Sequence, residues 1–229
     1  MAKLTWDATG TRFYETGVSN GVLYPQNSNG YDKGVAWNGL TSVSENPDGA
    51  EPNDLYADNI KYATLRSAET FSATIEAYTY PEEFAACDGS YSPSNTTGVY
   101  IGQQPRKAFG FCYRTEIGSD NMNTGDAYKL HIIYNATASP SDKSYETIND
   151  SPDAITLSWE VTTTPVEVGI TGIKPTSTIV IDTSKLDTTT RQHLAALENV
   201  LYGTANAEPT LPDPATVISY ITTGAAPTP

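Results

Sequence analysis

The sequence predicts a mainly β protein: a sandwich or barrel-like fold with a flanking α-helix, a long inter-strand loop and a C-terminal arm. Three observations carry this. Several segments alternate apolar and polar residues with the period of two that marks a half-buried strand. Only 17% of the 229 residues are charged against 38% hydrophobic, and Tyr, Thr, Ser, Gly and Pro are frequent. Few charges with many β-branched and aromatic residues favour sheets over helical bundles, and the turn formers fall between the alternating segments.

Strands are expected, in chain order, at Val35–Asn38, Phe71–Ala77, Lys107–Tyr113, Tyr128–Tyr134, Ile155–Thr162 and Ser177–Asp182, within a total of about six to nine. The cleanest alternation sets Ile155, Leu157, Trp159 and Val161 on one face and Thr156, Ser158, Glu160 and Thr162 on the other. By the same period Leu130 and Ile132 point inward, and Lys129 and His131 point outward.

Two helices interrupt the strands. Pro81-Glu82-Glu83-Phe84-Ala85-Ala86-Cys87 opens with Pro and two acids, which suit a first helical turn, and Gly89 ends it. The second runs from about Arg191 to Tyr202, with Thr189 and Gln192 at capping-box spacing, an apolar stripe of Leu194, Leu197 and Leu201, and Gly203 as its stop.

Two excursions stand out. Ser44 to Asp58 reads SENPDGAEPNDLYAD, rich in acids and without a base, and is expected as a long loop. Ala136 to Asp153 is a second polar stretch, with a turn at Asn149–Asp153. Residues 1–203 are read as one β domain and residues 204–229, rich in Pro and Ala, as a C-terminal arm with a weak helix at Asp213–Ile221.

The totals bound the function. Acidic residues outnumber basic ones by 27 to 13, giving a net charge of −14, which argues against gripping nucleic acid. It suits solubility, or a surface past which nucleic acid slides. No run approaches the roughly 20 apolar residues of a membrane helix, and Met1 to Asp7 lacks the apolar core of a secretion signal, so no membrane partner is expected. Cys87 and Cys112 are too few for a disulfide framework and are expected as reduced, packed thiols.

No chemical constellation emerges. Neither His131 nor His193 has a nearby nucleophile or carboxylate pattern. Glu45, Asp48, Glu51, Asp54 and Asp58 do not follow the spacing of a calcium loop, and no phosphate-cradling Gly loop follows Gly10 or Gly17. No enzyme activity, metal or cofactor is expected. A carboxylate-based glycosidase, whose two acids meet only in the fold, stays open on a chain with 27 acids.

Several ordered blocks run along the chain: Leu4-Thr5-Trp6-Asp7-Ala8-Thr9-Gly10, Arg12-Phe13-Tyr14-Glu15-Thr16-Gly17-Val18, Gly34-Val35-Ala36-Trp37-Asn38-Gly39-Leu40, Asp54-Leu55-Tyr56-Ala57-Asp58-Asn59-Ile60, Gly102 to Gly110 and Trp159 to Val166. From Leu4 to about Leu211 the chain resembles the major tail proteins, or tail tube proteins, of long-tailed siphophage-type bacteriophages with non-contractile tails. That resemblance implies a β-sandwich with a flanking helix, subunits joined by sheet pairing into hexameric rings, and rings stacked into a hollow tube. DNA passes through the lumen without specific binding. It implies as partners further copies of the chain, a tape measure protein and a tail terminator or distal tail protein. It places the chain in the virion, and in the host cytoplasm during assembly. It implies no catalytic residues. A long loop and a terminal arm would bridge rings, which makes Glu45, Asp48, Glu51, Asp54, Tyr56 and Asp58 the candidates for inter-ring contact. An Ig-like or lectin-like binding module is the alternative, distinguishable because it would stay monomeric or dimeric.

Overall fold

The computed structural model describes residues 3–93, 98–121, 127–145, 147–148 and 153–227. Its strands are β1 (Phe13–Asn27), β2 (Gly30–Tyr31), β3 (Val35–Trp37), β4 (Leu40–Gly49), β5 (Pro52–Ala57), β6 (Ile60–Arg66), β7 (Glu69–Ala77), β8 (Phe109–Ser119), β9 (Ala127–Ala138), β10 (Leu157–Thr163) and β11 (Thr178–Asp182). The helices are α1 (Thr188–Tyr202) and α2 (Pro214–Thr223). The fold is mainly β, as the sequence predicts.

One antiparallel sheet runs β2-β1-β8-β9-β10-β7-β4, with β3 added on β1 and β11 on β9. It curls until β4 touches β1, where a Cβ on Gly21 would lie 2.3 Å from Leu40 Cδ1. A side chain at Gly21 would require Leu40 to move. Among the described residues no ladder joins β1 to β4, so the curl is sandwich-like and not a closed barrel.

The fold turns on β9. Residues 129–133 pair with β11, and residues 136–138 pair with β10. Between them Asn135 takes φ 46°, a left-handed conformation that Asn tolerates better than most side chains. It is held there by its N–H donating to the Tyr31 hydroxyl (3.0 Å) and by the Thr164 N–H donating to its carbonyl (3.1 Å). The extra residue makes a bulge against β8, so that the strand bends and changes partner.

Both faces of β9 are covered. On one side lies the sandwich core, with Trp37, Ile75, Phe84, Phe109, Phe111, Ile133 and Trp159. On the other, Leu130, Ile132 and Tyr134 meet Leu194, Leu197 and Leu201 of α1 and Val217 of α2. His131 was expected to face solvent but is only 7% exposed. The period of two sorts its side chain correctly, but that side lies between two layers. The buried Trp159 and Val161 of β10 follow the predicted alternation.

The helix expected at 81–87 is a single 3-10 turn, Glu82–Ala86, that carries Phe84 into the core. α1 starts earlier than predicted because Asp187 caps it: its carboxylate accepts from the Thr190 N–H at 2.8 Å, displacing the Thr189–Gln192 capping box. Arg114 of β8 fastens this helix. Its guanidinium lies 4.3 Å from the Tyr128 ring centre and 4.9 Å from that of Tyr202, and it donates to Glu198 at 2.7 Å.

The helix expected at Asp213–Ile221 is α2. The C-terminal segment lies against the body: Leu211 and Val217 are buried, the Gly34 N–H donates to the Pro209 carbonyl (2.9 Å), and Tyr134 donates to that of Pro212 (3.1 Å). One expectation is corrected. Ser44–Asp58 is not a loop but most of β4 and all of β5. The turn expected at Asn149–Asp153 lies outside the described residues except for Asp153.

Candidate assembly surface

The body ends part-way along β4. Leu40 and Val43 pack on the core, but from Glu45 onward the strand is exposed, still paired with β7 down to Gly49 opposite Glu69. Pro47 is tolerated because β4 pairs on one edge only, so no ladder bond needs its missing N–H. Beyond Gly49 both strands break, and β5 and β6 form a separate two-stranded sheet. Gly49 (φ 88°) and Ala50 (φ 56°) make the bend, and a Cβ on Gly49 would lie 2.5 Å from the Ala68 carbonyl oxygen. The tip is Asp58-Asn59, both at positive φ (50° and 65°), the type I′ turn whose twist matches a hairpin.

Register sorts the two faces of this arm. Leu55 opposes Ala63, Ala57 opposes Ile60 and Asn53 opposes Leu65, so those side chains share one face. On the other, Asp54 accepts from Lys61 (2.8 Å) and from the Thr64 hydroxyl (2.7 Å). These two bonds, Lys61 first, hold the Asp54 carboxyl below its ordinary range. The apolar face is uncovered: Leu55 is 39% exposed, Ile60 66% and Leu65 55%. A lone hairpin is marginal in water, and both of its edges offer unpaired N–H and C=O groups. Its chemistry is that of a surface awaiting a partner.

Of the predicted contact residues, Asp48, Glu51, Asp54, Tyr56 and Asp58 fall on this arm or its stem. Asp48 accepts from the Gly49 N–H at 2.7 Å, Glu51 stands at the bend, Tyr56 is exposed beside the tip, and Asp58 is in the turn. Glu45 does not join them. It turns back into the body and accepts from the Tyr113 hydroxyl (2.6 Å) and from His131 Nδ1 (3.0 Å). Sequence reasoning missed Leu55, Ile60 and Leu65. The signal was present, since Asp58-Asn59 stands between two runs with apolar residues at strand spacing.

Glu45 belongs to a polar cluster that ties four strands together. Glu15 of β1 accepts from Lys129 and from the Thr115 hydroxyl; Thr115 also contacts His131 Nε2 at 3.1 Å. The His131 ring stacks on Tyr113 at 4.6 Å, 9° from parallel. Hydrogen bonds from His131 and Tyr113 hold the Glu45 carboxyl below its ordinary range against the cost of burial. For Glu15, burial raises the pKa, but Lys129 and Thr115 outweigh it and the net shift is downward.

A carboxyl depressed on folding stabilises the fold above its unfolded pKa, about 4.3 for Glu, and that stability is lost as pH falls through the lower native value. Melting temperatures taken from pH 7 down to pH 3 therefore fall less for Glu45→Gln than for the wild type below about pH 5. Parallel curves would mean that the Glu45 contacts contribute nothing to stability.

No other grouping competes. Among the described residues no three His, Cys, Asp or Glu side chains gather to hold a metal. Cys87 and Cys112 are free and buried, and burial pushes each thiol up to about 12. Among the described residues no helix is long and apolar enough to cross a membrane.

No protein-family profile matches the chain, and no curated protein matches it in sequence. Among solved structures, one chain of the cryo-EM structure of the anti-feeding prophage baseplate, 6-fold symmetrised, aligns over 80% of this chain and all of its own length. The identity is 9% and the TM-score 0.36, a likeness too low to carry an argument about fold or role.

Proposed function

We propose that the chain is the structural subunit of a phage tail tube, polymerising as stacked hexameric rings whose lumen passes DNA without binding it specifically. The arm formed by β5 and β6 carries this reading: a hairpin with an uncovered apolar face and two open edges. A contact between the arm of one copy and a different surface of the next is heterologous, and contacts of that kind build rings or open filaments from a single chain. Other open edges suit the same role. Among the described residues the ladder at Phe13, Glu15 and Thr16 of β1 is with β8, and that of β11 is with β9. Sheet-to-sheet pairing between copies would occupy edges that are an aggregation hazard in a monomer. The resemblance of Leu4 to Leu211 to siphophage major tail proteins supports the finer assignment, including a tape measure and a terminator or distal tail protein as partners.

Negative-stain electron microscopy of the purified chain tests this. The expected result is rings of one diameter and, at higher concentration, hollow tubes of the same diameter. A protein that stays monomeric or dimeric at every concentration, and melts at a higher temperature with a glycan, would sink the proposal in favour of a lectin-like module.

A further inference from the structure

The polar cluster at the root of the arm has a role that stability alone does not explain. β4 carries the arm, yet its backbone is paired on one edge only, with β7. Past Val43 the strand leaves the apolar core, and Glu45 is the next residue of β4 bonded to the opposite layer. Its carboxylate takes two hydrogen bonds there, one from β8 and one from β9. The charged and titratable groups around His131 are Glu45 from β4, Glu15 from β1, Tyr113 from β8 and Lys129 from β9.

Counting protons fixes how the cluster is wired. Glu15 and Glu45 only accept when ionised, and Tyr113 gives its single proton to Glu45. Thr115 gives its single proton to Glu15, so its contact with His131 is satisfied when Nε2 donates. Nδ1 donates to Glu45.

We infer that His131, bridging Glu15 and Glu45, is a latch that fixes the direction in which the arm leaves the body. The latch is a positioning device: neither His131 nor Glu45 reaches the arm's apolar face. The stem from Glu45 to Gly49 transmits the setting, and the packed bend at Gly49 against Ala68 passes it to β5 and β6. This rests on the reading of the arm as the assembly contact, and it adds what aims the arm.

Spin labels on Tyr56→Cys, near the tip, and Val180→Cys, on β11, test it. Both native cysteines are buried, so the introduced thiols label selectively. At concentrations below assembly, the labelled chain is expected to give one narrow tip-to-body distance. The distribution is expected to broaden at least twofold in Glu45→Ala and in His131→Gln. The side chain of Glu45 is 33% exposed, so its variant keeps the fold, and a melting temperature recorded alongside confirms that. Narrow distributions in both variants overturn the latch. A broadened arm in a variant that still grows tubes at the parent rate leaves the latch standing and sinks the arm as the stacking contact.

Discussion

Replacing residues 50–68 with Asn-Gly is expected to leave a folded protein that no longer grows tubes. Gly49 and Glu69 are cross-strand partners, so a two-residue type I′ turn joins them without disturbing β4 or β7. None of the replaced residues belongs to either core. The melting temperature should therefore move by no more than about 2 °C, as for changes at surface positions. Assembly should respond far more. Burying what is still exposed of Leu55, Ile60 and Leu65 on a neighbour is worth, for each, about half of the 1.5–3 kcal/mol of a fully exposed side chain, before the cost of association. Retaining even 2 kcal/mol of that total would lower the threshold concentration for growth by roughly 30-fold. Sedimentation across a concentration series, with microscopy of each fraction, reads the result as monomers or single rings. Tubes of ordinary length from this variant would show that the arm is not the stacking contact.

Which parts of this were readable in advance follows from where their information resides. The strand at Trp159 and Val161 and the stripe Leu194-Leu197-Leu201 were legible because each is a local period set by one buried face. The arm was read as a loop because Pro47, Gly49, Pro52 and the acids between them are strand breakers in a central strand. An edge strand tolerates them: Pro47 needs no ladder bond there, and Pro52 begins its strand. Glu45 was grouped with the arm because nothing local separates it from Asp48. Its partners Tyr113 and His131 lie 68 and 86 residues away, and only the curl of the sheet brings them to it. Burial of His131 had the same origin, since a period of two cannot tell one covered face from two. In the C-terminal segment the helix was legible from Asp213 and Pro214 at its start, but the contacts of Leu211 and Val217 with α1 were not, because they depend on the tertiary fold.

Phe84→Ala is expected to give a large loss of stability without a matching loss of assembly. Phe84 is fully buried on the 3-10 turn between β7 and β8, where its ring meets Trp37 at 4.6 Å, Trp159 at 5.1 Å, Phe109 at 5.5 Å and Tyr80 at 6.0 Å. The tilted and edge-on angles are those that aromatic quadrupoles favour. Trp37 and Trp159 also touch each other at 5.6 Å, and the Trp37 indole N–H is tied to the Thr79 carbonyl at 2.9 Å. Those two rings therefore have little freedom to close over a missing phenyl group. A cavity that cannot collapse places the cost near the upper end of the range for Phe→Ala, about 3–5 kcal/mol. For a chain of this size that corresponds to a melting temperature lower by roughly 8–16 °C. Urea unfolding should show a lower midpoint with an unchanged slope, the mark of a change in stability alone. The arm shares no contact with this cluster, so well below the new melting temperature the variant should grow tubes at the parent threshold concentration. A loss under about 1 kcal/mol would mean that the neighbouring rings do move in, and that the sandwich core is looser than its packing implies. A raised threshold in a variant still fully folded would mean that the body between β7 and β8, and not only the arm, touches the neighbouring copy.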